Sequence, residues 1–388
     1  MTGREKTILN HIWRKPGVSR KDISADLGLH PNLVSDAVLQ LIREEWIVEG
    51  GRQKVAAGRA PIALYLDPQQ KAGIAVSYDS ERLTCGLVNA NGEIIQKVEM
   101  DHAADLPEDL VEKISRVLIK MKQDYGGHVI GVGVADPGMV DSTAGEVVRS
   151  SFFPKWNHVP MAKLVEQETG LMVFVEDCTR VRAGAQYRIT LELHQKHATM
   201  LYVEYGEGIG FVLVTQEGIW RGARFAGEVG HVVMEPQGAL CRCGASGCLE
   251  SMASPSALET KAGDLLAQGV NSSLRGSTKV NAEAIFRAAL EGDRMARSVV
   301  KAIVDRLGLA TAFLVAALHP PFVVVGAETE TAIRCLCKEL RSALESRTLT
   351  EIASTVEIIE GMEFRPLALI GAGLMVFERT FNDKRHIS

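Results

Sequence analysis

The 388-residue sequence has no apolar run long enough to cross a bilayer, and its N-terminus lacks the apolar core of a secretion signal. These absences argue against a membrane or secreted protein. Cysteine is sparse: the seven residues are an odd number, so we expect free thiols in a reducing compartment and predict a cytoplasmic protein. A net charge of −5 excludes a general attraction to nucleic acid.

Charge is nevertheless unevenly distributed along the chain. Residues 1–60 carry ten Lys/Arg and seven Asp/Glu, so they are net +3 and the remainder is net −8. The length suggests two or three domains, and 46% hydrophobic residues with 23% charged residues indicate a folded globular protein. A small basic domain at the N-terminus of an acidic body is a weak indication of a polyanionic partner.

The N-terminal segment has the pattern of a winged helix-turn-helix. Apolar residues at helical spacing predict a first helix over residues 4–14, and Ser19 can cap a second helix that stops at Gly28. A third helix is predicted from Pro31 to about Trp46. Two strands around a basic loop follow, so we predict a DNA-binding head over residues 1–68. The alternative is a three-helix docking module that binds no DNA.

The wing and the local positive charge favour double-stranded DNA, such as an operator, as the partner. In this motif the N-terminal end of the third helix meets the base edges, and flanking polar and basic residues contact phosphate. The predicted base contacts are His30, Asn32 and Ser35. The predicted phosphate contacts are Ser19, Arg20, Lys21, Arg52 and Lys54, while Arg59 either enters a minor groove or belongs to the linker.

Three cysteines stand within eight residues in the second half of the chain. The pattern His231-x9-Cys241-x-Cys243-x4-Cys248 offers one imidazole and three thiolates, a set that suits tetrahedral Zn²⁺. Because the protein fills all four positions, we predict a structural zinc ion. The alternative, three free thiols in a loop, would be liable to oxidation.

From about residue 69 the pattern becomes an alternation of apolar strands and helices, which predicts mixed sheets covered by helices. Several segments in this region resemble the ROK family of repressors, open reading frames and sugar kinases over about residues 70–380. They are Val-Ala-Asp-Pro-Gly-Met-Val-Asp ending at Asp141, Val-Glu-Asp ending at Asp177, Gly-Glu-Gly-Ile-Gly ending at Gly210, Gly-Glu-Val-Gly-His ending at His231, the cysteine segment, and Ile-Gly-Ala-Gly ending at Gly373.

The resemblance implies a multidomain protein with a two-lobed α/β body of the actin-like ATPase type behind the helical head. The implied lobes are residues 69–185 and 186–371, with the zinc loop in the second lobe and a C-terminal helix of about 372–388 packing back on the first. The head matches the repressor branch of the family.

The resemblance also implies a sugar site. The residues that match it are Gly138, Ser151, Glu176, Asp177, Gly208, Glu228, His231 and Glu250. Asp177 stands where the family's kinases have their catalytic base. Glu176 replaces a usual Asn, which places two carboxylates side by side and puts recognition of a common hexose in doubt.

The phosphate-binding segments depart from the kinase pattern. Kinases of the family have Asp-x-Gly-Gly-Thr where this chain has Ser77-Tyr-Asp-Ser-Glu81, and Glu207 adds a second carboxylate in the next phosphate loop. Backbone amides bind phosphate only where side chains leave room for it. We therefore expect neither ATP binding nor catalysis, with Asp177 as a vestigial base.

Three functions compete. The favoured one is a transcriptional regulator of carbohydrate-utilisation genes, a repressor, controlled by a sugar or sugar phosphate and assembled as a homodimer or homotetramer to read paired half-sites. The alternatives are a sugar kinase with an appended DNA-binding head, and a regulator that has lost its small ligand.

Overall fold

A computed structural model of the chain describes residues 1–52, 61–102, 106–150, 153, 155–192, 198–277 and 279–382. The head begins with α1 (Gly3–Arg14), α2 (Arg20–Leu27) and α3 (Pro31–Arg43). Ser19 caps α2, as the sequence predicts, and forms a capping box with Asp22. The prediction that α3 reaches Trp46 is wrong. It ends at Arg43 because Glu45 adopts a positive φ of 59°, which turns Trp46 into the core.

The wing has its two predicted strands. β1 (Ile47–Arg52) and β2 (Ile62–Leu66) pair antiparallel. The side chain of Arg52 and the whole of residues 53–60, with Lys54 and Arg59, lie outside the described residues. The winged helix fold is therefore confirmed, whereas the predicted DNA contacts of the wing stay predictions.

The first lobe is built on a five-stranded sheet of order β10-β6-β3-β4-β5. The hairpin strands β3, β4 and β5 are antiparallel, and β6 and β10 add parallel to β3. A small antiparallel sheet, β7-β8-β9, follows β6. The elements are β3 (Lys71–Tyr78), β4 (Arg82–Asn89), β5 (Ile94–Asp101), α4 (Pro107–Asp124), β6 (His128–Asp136), β7 (Met139–Asp141), β8 (Glu146–Arg149), β9 (Asn157–Val159), α5 (Met161–Thr169), β10 (Val173–Asp177) and α6 (Cys178–Tyr187).

The second lobe repeats this strand order with a sheet β13-β12-β11-β14-β15, again three antiparallel strands followed by two parallel ones. Two lobes of one topology confirm the predicted fold class. The elements are β11 (Met200–Tyr205), β12 (Ile209–Thr215), β13 (Gly218–Ile219), α7 (Leu249–Ala253), α8 (Pro255–Ala267), α9 (Ala282–Glu291), α10 (Arg294–Leu318), β14 (Phe322–Ala327), α11 (Glu330–Arg347), α12 (Thr350–Ala353), β15 (Glu357–Glu363) and α13 (Phe364–Asn382).

The chain divides into two compact units. The first comprises Met1–Ala185, Glu192–His194 and Ala368–Ser388, and the second comprises Gln186–Leu191 and Gln195–Leu367. Within the first unit, α13 lies directly against the lobe's sheet: a Cβ added at Gly133 would stand 2.0 Å from the carbonyl oxygen of Ala372. Glycine is required there because no side chain fits between helix and strand.

The head shares an apolar core with α13 and the first lobe. Leu374, Phe377 and Phe381 of α13 join the buried residues of the three head helices in one cluster. The indole N–H of Trp13 donates to the carbonyl of Ala90 at 2.9 Å, which ties the head to the turn between β4 and β5. No described helix is long and apolar enough to span a membrane.

Candidate functional site

The start of α3 presents the predicted base-reading residues. His30 is the N-cap, with its Nδ1 accepting from the backbone N–H of Asn32 at 3.4 Å. The Asn32 side chain is exposed and Ser35 is half-buried. The arrangement leaves the amide of Asn32 accessible for hydrogen bonds with an adenine edge.

The predicted phosphate contacts on α2 differ in their surroundings. Lys21 is exposed. Arg20 pairs with Glu49 of β1 at 2.8 Å, and the hydroxyl of the buried Ser19 donates to Asp22 at 2.8 Å inside the capping box. Of the two basic residues, Lys21 is therefore the more accessible to a phosphate.

The structure brings the four predicted metal ligands together. The ligand atoms of His231, Cys241, Cys243 and Cys248 all lie within 4.8 Å of one another. Nδ1 of His231 is 3.6 Å from Sγ of Cys241, and the same separation joins the sulfurs of Cys243 and Cys248. With metal–sulfur bonds of about 2.3 Å, tetrahedral ligands stand roughly this far apart, so the cluster can hold a metal ion.

The backbone of this loop explains how three sulfurs converge. Gly244 and Gly247 have φ values of +97° and +75°, and a Cβ at Gly247 would stand 1.5 Å from the carbonyl oxygen of Glu235. Burial raises the pKa of the Cys248 thiol to about 12. Without a cation the sulfur would therefore keep its proton, whereas a divalent ion would favour the thiolate.

Residues of the predicted sugar site flank the four candidate metal ligands within the second unit. Glu228 and His231 form a short 3₁₀ helix on one side, and Glu250 lies in α7 immediately after Cys248. Oε2 of Glu250 accepts from the backbone N–H of Ile209 at 3.2 Å, and a Cβ at Gly208 would stand 2.6 Å from the same oxygen. A metal held by His231 through Nδ1 would leave Nε2 free of metal and able to meet a ligand hydroxyl.

The remaining predicted sugar contacts belong to the first unit. Asp177 ends β10 and accepts from the backbone N–H of Arg180 at 2.9 Å. Glu176 is fully buried and pairs with both Arg180 and Arg379, each at 3.4 Å. The repulsion expected between Glu176 and Asp177 is thus offset by two guanidinium groups. Gly138 is buried, and Ser151 lies outside the described residues.

Residues 77–81 stand where kinases of the family have their phosphate loop. The side chain of Asp79 closes this turn. The carboxylate of Asp79 accepts from the backbone N–H groups of Glu81 and Arg82 at 2.8 and 2.7 Å. His102 adds a ring contact of 2.8 Å to the carbonyl of Asp79. This role of Asp79 is not among the predictions from the sequence, although an Asp two residues before a turn N–H is the usual signal of an Asx turn.

Aromatic side chains pack closely against Gly206, beside Glu207 in the second phosphate-loop segment, and against Gly326 in β14. A Cβ at Gly206 would stand 2.9 Å from the ring of Phe364, and one at Gly326 would stand 2.0 Å from the hydroxyl of Tyr202. The carbonyl of Glu207 accepts from Arg242 at 2.8 Å. No side chain larger than hydrogen fits at either glycine without displacing these aromatic groups.

A buried carboxyl next to Gly138 predicts a pH-dependent stability. Asp136 accepts from the Tyr78 hydroxyl and from the backbone N–H of Gly138, and its burial raises its pKa from 3.8 to about 6. A raised folded-state pKa means that this group stabilises the fold below pH 3.8 and that the contribution is lost as pH rises through 6.

We therefore expect the free energy of unfolding of Asp136→Asn relative to the parent to rise by on the order of 3 kcal/mol between pH 4 and pH 8. Urea titrations across that range measure it, with exposed Asp124→Asn as the control. A pH-independent difference would contradict the assignment.

A winged helix in front of a two-lobed α/β body, with a Cys/His cluster that could hold a metal ion, defines the class of a DNA-binding regulator built on a sugar-kinase fold. Residues 74–378 match the model of the ROK family, and residues 1–48 match a model described as winged helix-turn-helix DNA-binding. The chain belongs to the ROK family. With its winged helix-turn-helix and its repressor relatives, it is a transcriptional regulator of that family.

Individual relatives include both branches of the family. The chain is 29% identical over 353 residues to the xylose repressor of Caldicellulosiruptor bescii, covering 88% of this chain and 87% of the relative. It is 29% identical over 317 residues to the glucokinase of Thermotoga maritima, covering 79% and 97%. A crystal structure of a ROK family transcriptional regulator, a homologue of the Escherichia coli Mlc protein, superposes with a TM-score of 0.85 at 23% identity, covering 97% and 96%.

Proposed function

We propose that this regulator is a repressor of carbohydrate-utilisation genes whose kinase-derived body binds a sugar or sugar phosphate and has lost its ATP site. The observation that carries the loss of the ATP site is the closed turn of Asp79. Its carboxylate accepts from two of the backbone amides that a phosphate would need. The carboxylates of Glu228 and Glu250 and the imidazole of His231 are directional partners for vicinal hydroxyls, which supports a retained sugar site.

Relatives named xylose repressor make D-xylose the first effector to test. The residues proposed for sugar binding are those that match the family pattern: Gly138, Ser151, Glu176, Asp177, Gly208, Glu228, His231 and Glu250. Binding would change how paired heads are held on DNA. The proposed domains are residues 1–68, 69–185 together with the part of α13 from about residue 372, and 186–371, in a cytoplasmic homodimer or homotetramer. The helix itself begins earlier than the sequence predicts, at Phe364.

We also propose that the metal is a structural Zn²⁺ ion. The donor set of three thiols and one imidazole suits zinc, and no protein ligand position is left for substrate. When bound, the ion would fix the loop whose two ends carry Glu228 and Glu250, and so hold both carboxylates in place.

Thermal shift and isothermal titration test the effector, with D-xylose, D-glucose and their phosphate esters as probes. Saturable binding that raises the melting temperature and changes affinity for DNA selected from random sequences by the full-length protein is the expected result. Saturable DNA binding with no response to any probe would instead indicate the regulator that has lost its ligand.

Asn32→Ala tests the recognition helix. Loss of the amide should reduce the difference in binding free energy between selected and random DNA by about 1–3 kcal/mol, because the amide reads a base edge. Lys21→Ala should weaken binding to both DNAs and lower the salt slope by about one unit. Fluorescence anisotropy over a salt series measures both effects. An unchanged ratio for Asn32→Ala would show that α3 is misassigned.

A further inference from the structure

Glu176 and the DNA-binding head meet the same short stretch of α13. Arg379 pairs with the Oε2 atom of Glu176 at 3.4 Å. Two residues later, Phe381 packs edge-on against Trp13 and Trp46 of the head, with ring centroids 5.8 Å apart in both pairs. Residues two apart on a helix point to roughly opposite sides, so the last turn of α13 lies between the end of β10 and the head.

The carboxylate of Glu176 is tied to the candidate ligand site on its other side. Its Oε1 atom accepts from the backbone N–H of Asp177 at 3.1 Å and lies 3.4 Å from Nη1 of Arg180. Arg180 also donates its backbone N–H to Asp177. A ligand hydroxyl that engages Asp177 would therefore disturb the hydrogen bonds of the group that holds Arg379.

The burial of this ion pair makes it sensitive to such a change. Glu176 is fully buried, and the side chain of Arg379 is 31% exposed. A buried carboxylate is tolerated only while its charge partners keep good geometry. On the head side, Phe381 is buried, and Asn382 accepts from the side-chain amide of Asn10 at 3.1 Å. A movement of the last turn of α13 would therefore shift the head residues that contact it.

We propose that Arg379 is a positioning residue that transmits occupancy of the sugar site to the DNA-binding head through Glu176 and the last turn of α13. The proposal deepens the proposed function and rests on its placement of the ligand at Asp177. It also explains why Glu176 stands where the family usually has Asn, because an amide would not form an ion pair with Arg379.

The test measures sugar affinity separately from coupling, by which we mean the change in DNA affinity that bound sugar causes. Full-length protein and Arg379→Met are titrated with D-xylose and D-glucose, and the dissociation constant for selected DNA is measured with and without saturating sugar. In the parent we expect sugar to change DNA affinity by about 5–150-fold. In Arg379→Met the sugar dissociation constant should stay within about threefold, while the change in DNA affinity falls to less than about twofold.

Three further variants make the result specific. Arg379→Lys keeps the charge and should retain part of the coupling. Arg116→Met removes an exposed arginine from its pair with Glu112 on α4 and should leave coupling unchanged. Phe381→Leu interrupts the path on the head side without touching the ion pair, and decides the question if Arg379→Met does not fold.

The outcomes distinguish the two levels of the proposal. Full coupling in folded Arg379→Met and Phe381→Leu would overturn the relay and leave the sugar-responsive regulator intact. Loss of sugar binding together with coupling in Arg379→Met would make Arg379 part of the ligand site and would overturn its positioning role. Failure of the parent to bind either sugar would overturn the proposed effector and the relay with it.

Discussion

Replacing Cys243 with serine should remove the metal and cost the protein roughly 4 kcal/mol or more of stability, because loss of a structural metal belongs to the largest mutational effects. If the proposed second lobe, residues 186–371, unfolds as a unit, this corresponds to a fall in its melting temperature of about 8–16 °C. The loop between Glu228 and Glu250 is held by few regular elements besides two isolated bridges, Val233 with Cys248 and Leu240 with Ser246. Without the ion, only these bridges and a few local hydrogen bonds, such as that from the Met234 N–H to the carbonyl of Gly247 at 2.8 Å, would order the loop.

Elemental analysis and thermal unfolding measure this effect. The parent should contain one zinc ion per chain, and Cys243→Ser should contain much less. Cys178→Ala serves as the matched control, since that thiol lies at the start of α6, away from the cluster in the chain, and its removal should leave the zinc content at one. Well-folded parent protein with little zinc, or Cys243→Ser with a full complement, would refute the zinc assignment.

The local features of this chain could be predicted from its sequence because each depends on near neighbours. The capping box of Ser19, the wing strands and the spacing of the metal ligands all involve residues within one turn or one loop. The end of α3 was misplaced because the apolar pattern continues through Trp46 although the backbone has already left the helix at Glu45.

Contacts between distant parts of the chain could not be predicted in the same way. Glu176 and Arg379 are 203 residues apart, and no periodicity or motif links a carboxylate at a strand end to a guanidinium on the last helix. The same holds for Tyr78 with Asp136 and for Trp13 with Phe381. The contacts of Arg379 and Phe381 depend on how α13 packs within the first unit, whereas Tyr78 and Asp136 meet because β3 and β6 are parallel neighbours in the sheet.

The protein should not phosphorylate sugars. Phosphoryl transfer needs backbone donors around the phosphates, a carboxylate for the metal ion, and a base at the acceptor hydroxyl. Asp177 matches the base, but Ser77 stands where kinases of the family have the metal-side Asp, and the carboxylate of Asp79 occupies the amides of Glu81 and Arg82. Loss of one preorganised donor alone costs a factor of about 10²–10³ in rate.

Charge adds to this loss. The carboxylates of Glu81 and Glu207 stand in the two segments that would face nucleotide phosphates, and each would oppose binding by on the order of 1 kcal/mol. We therefore expect no saturable binding of ATP-Mg in isothermal titration. We also expect no sugar-dependent ADP formation in a coupled assay with hexoses, pentoses and N-acetyl sugars, under conditions in which a ROK glucokinase is active.

Asp177→Asn decides the meaning of any residual signal. Turnover from a contaminating kinase would be the same in parent and variant, whereas turnover by this chain needs the carboxylate of Asp177 to accept the proton of the attacking hydroxyl. Sugar-dependent activity that disappears in Asp177→Asn, together with saturable ATP binding, would restore the kinase with an appended DNA-binding head. Activity absent from both proteins is the outcome expected of a body whose phosphate loop is closed by Asp79.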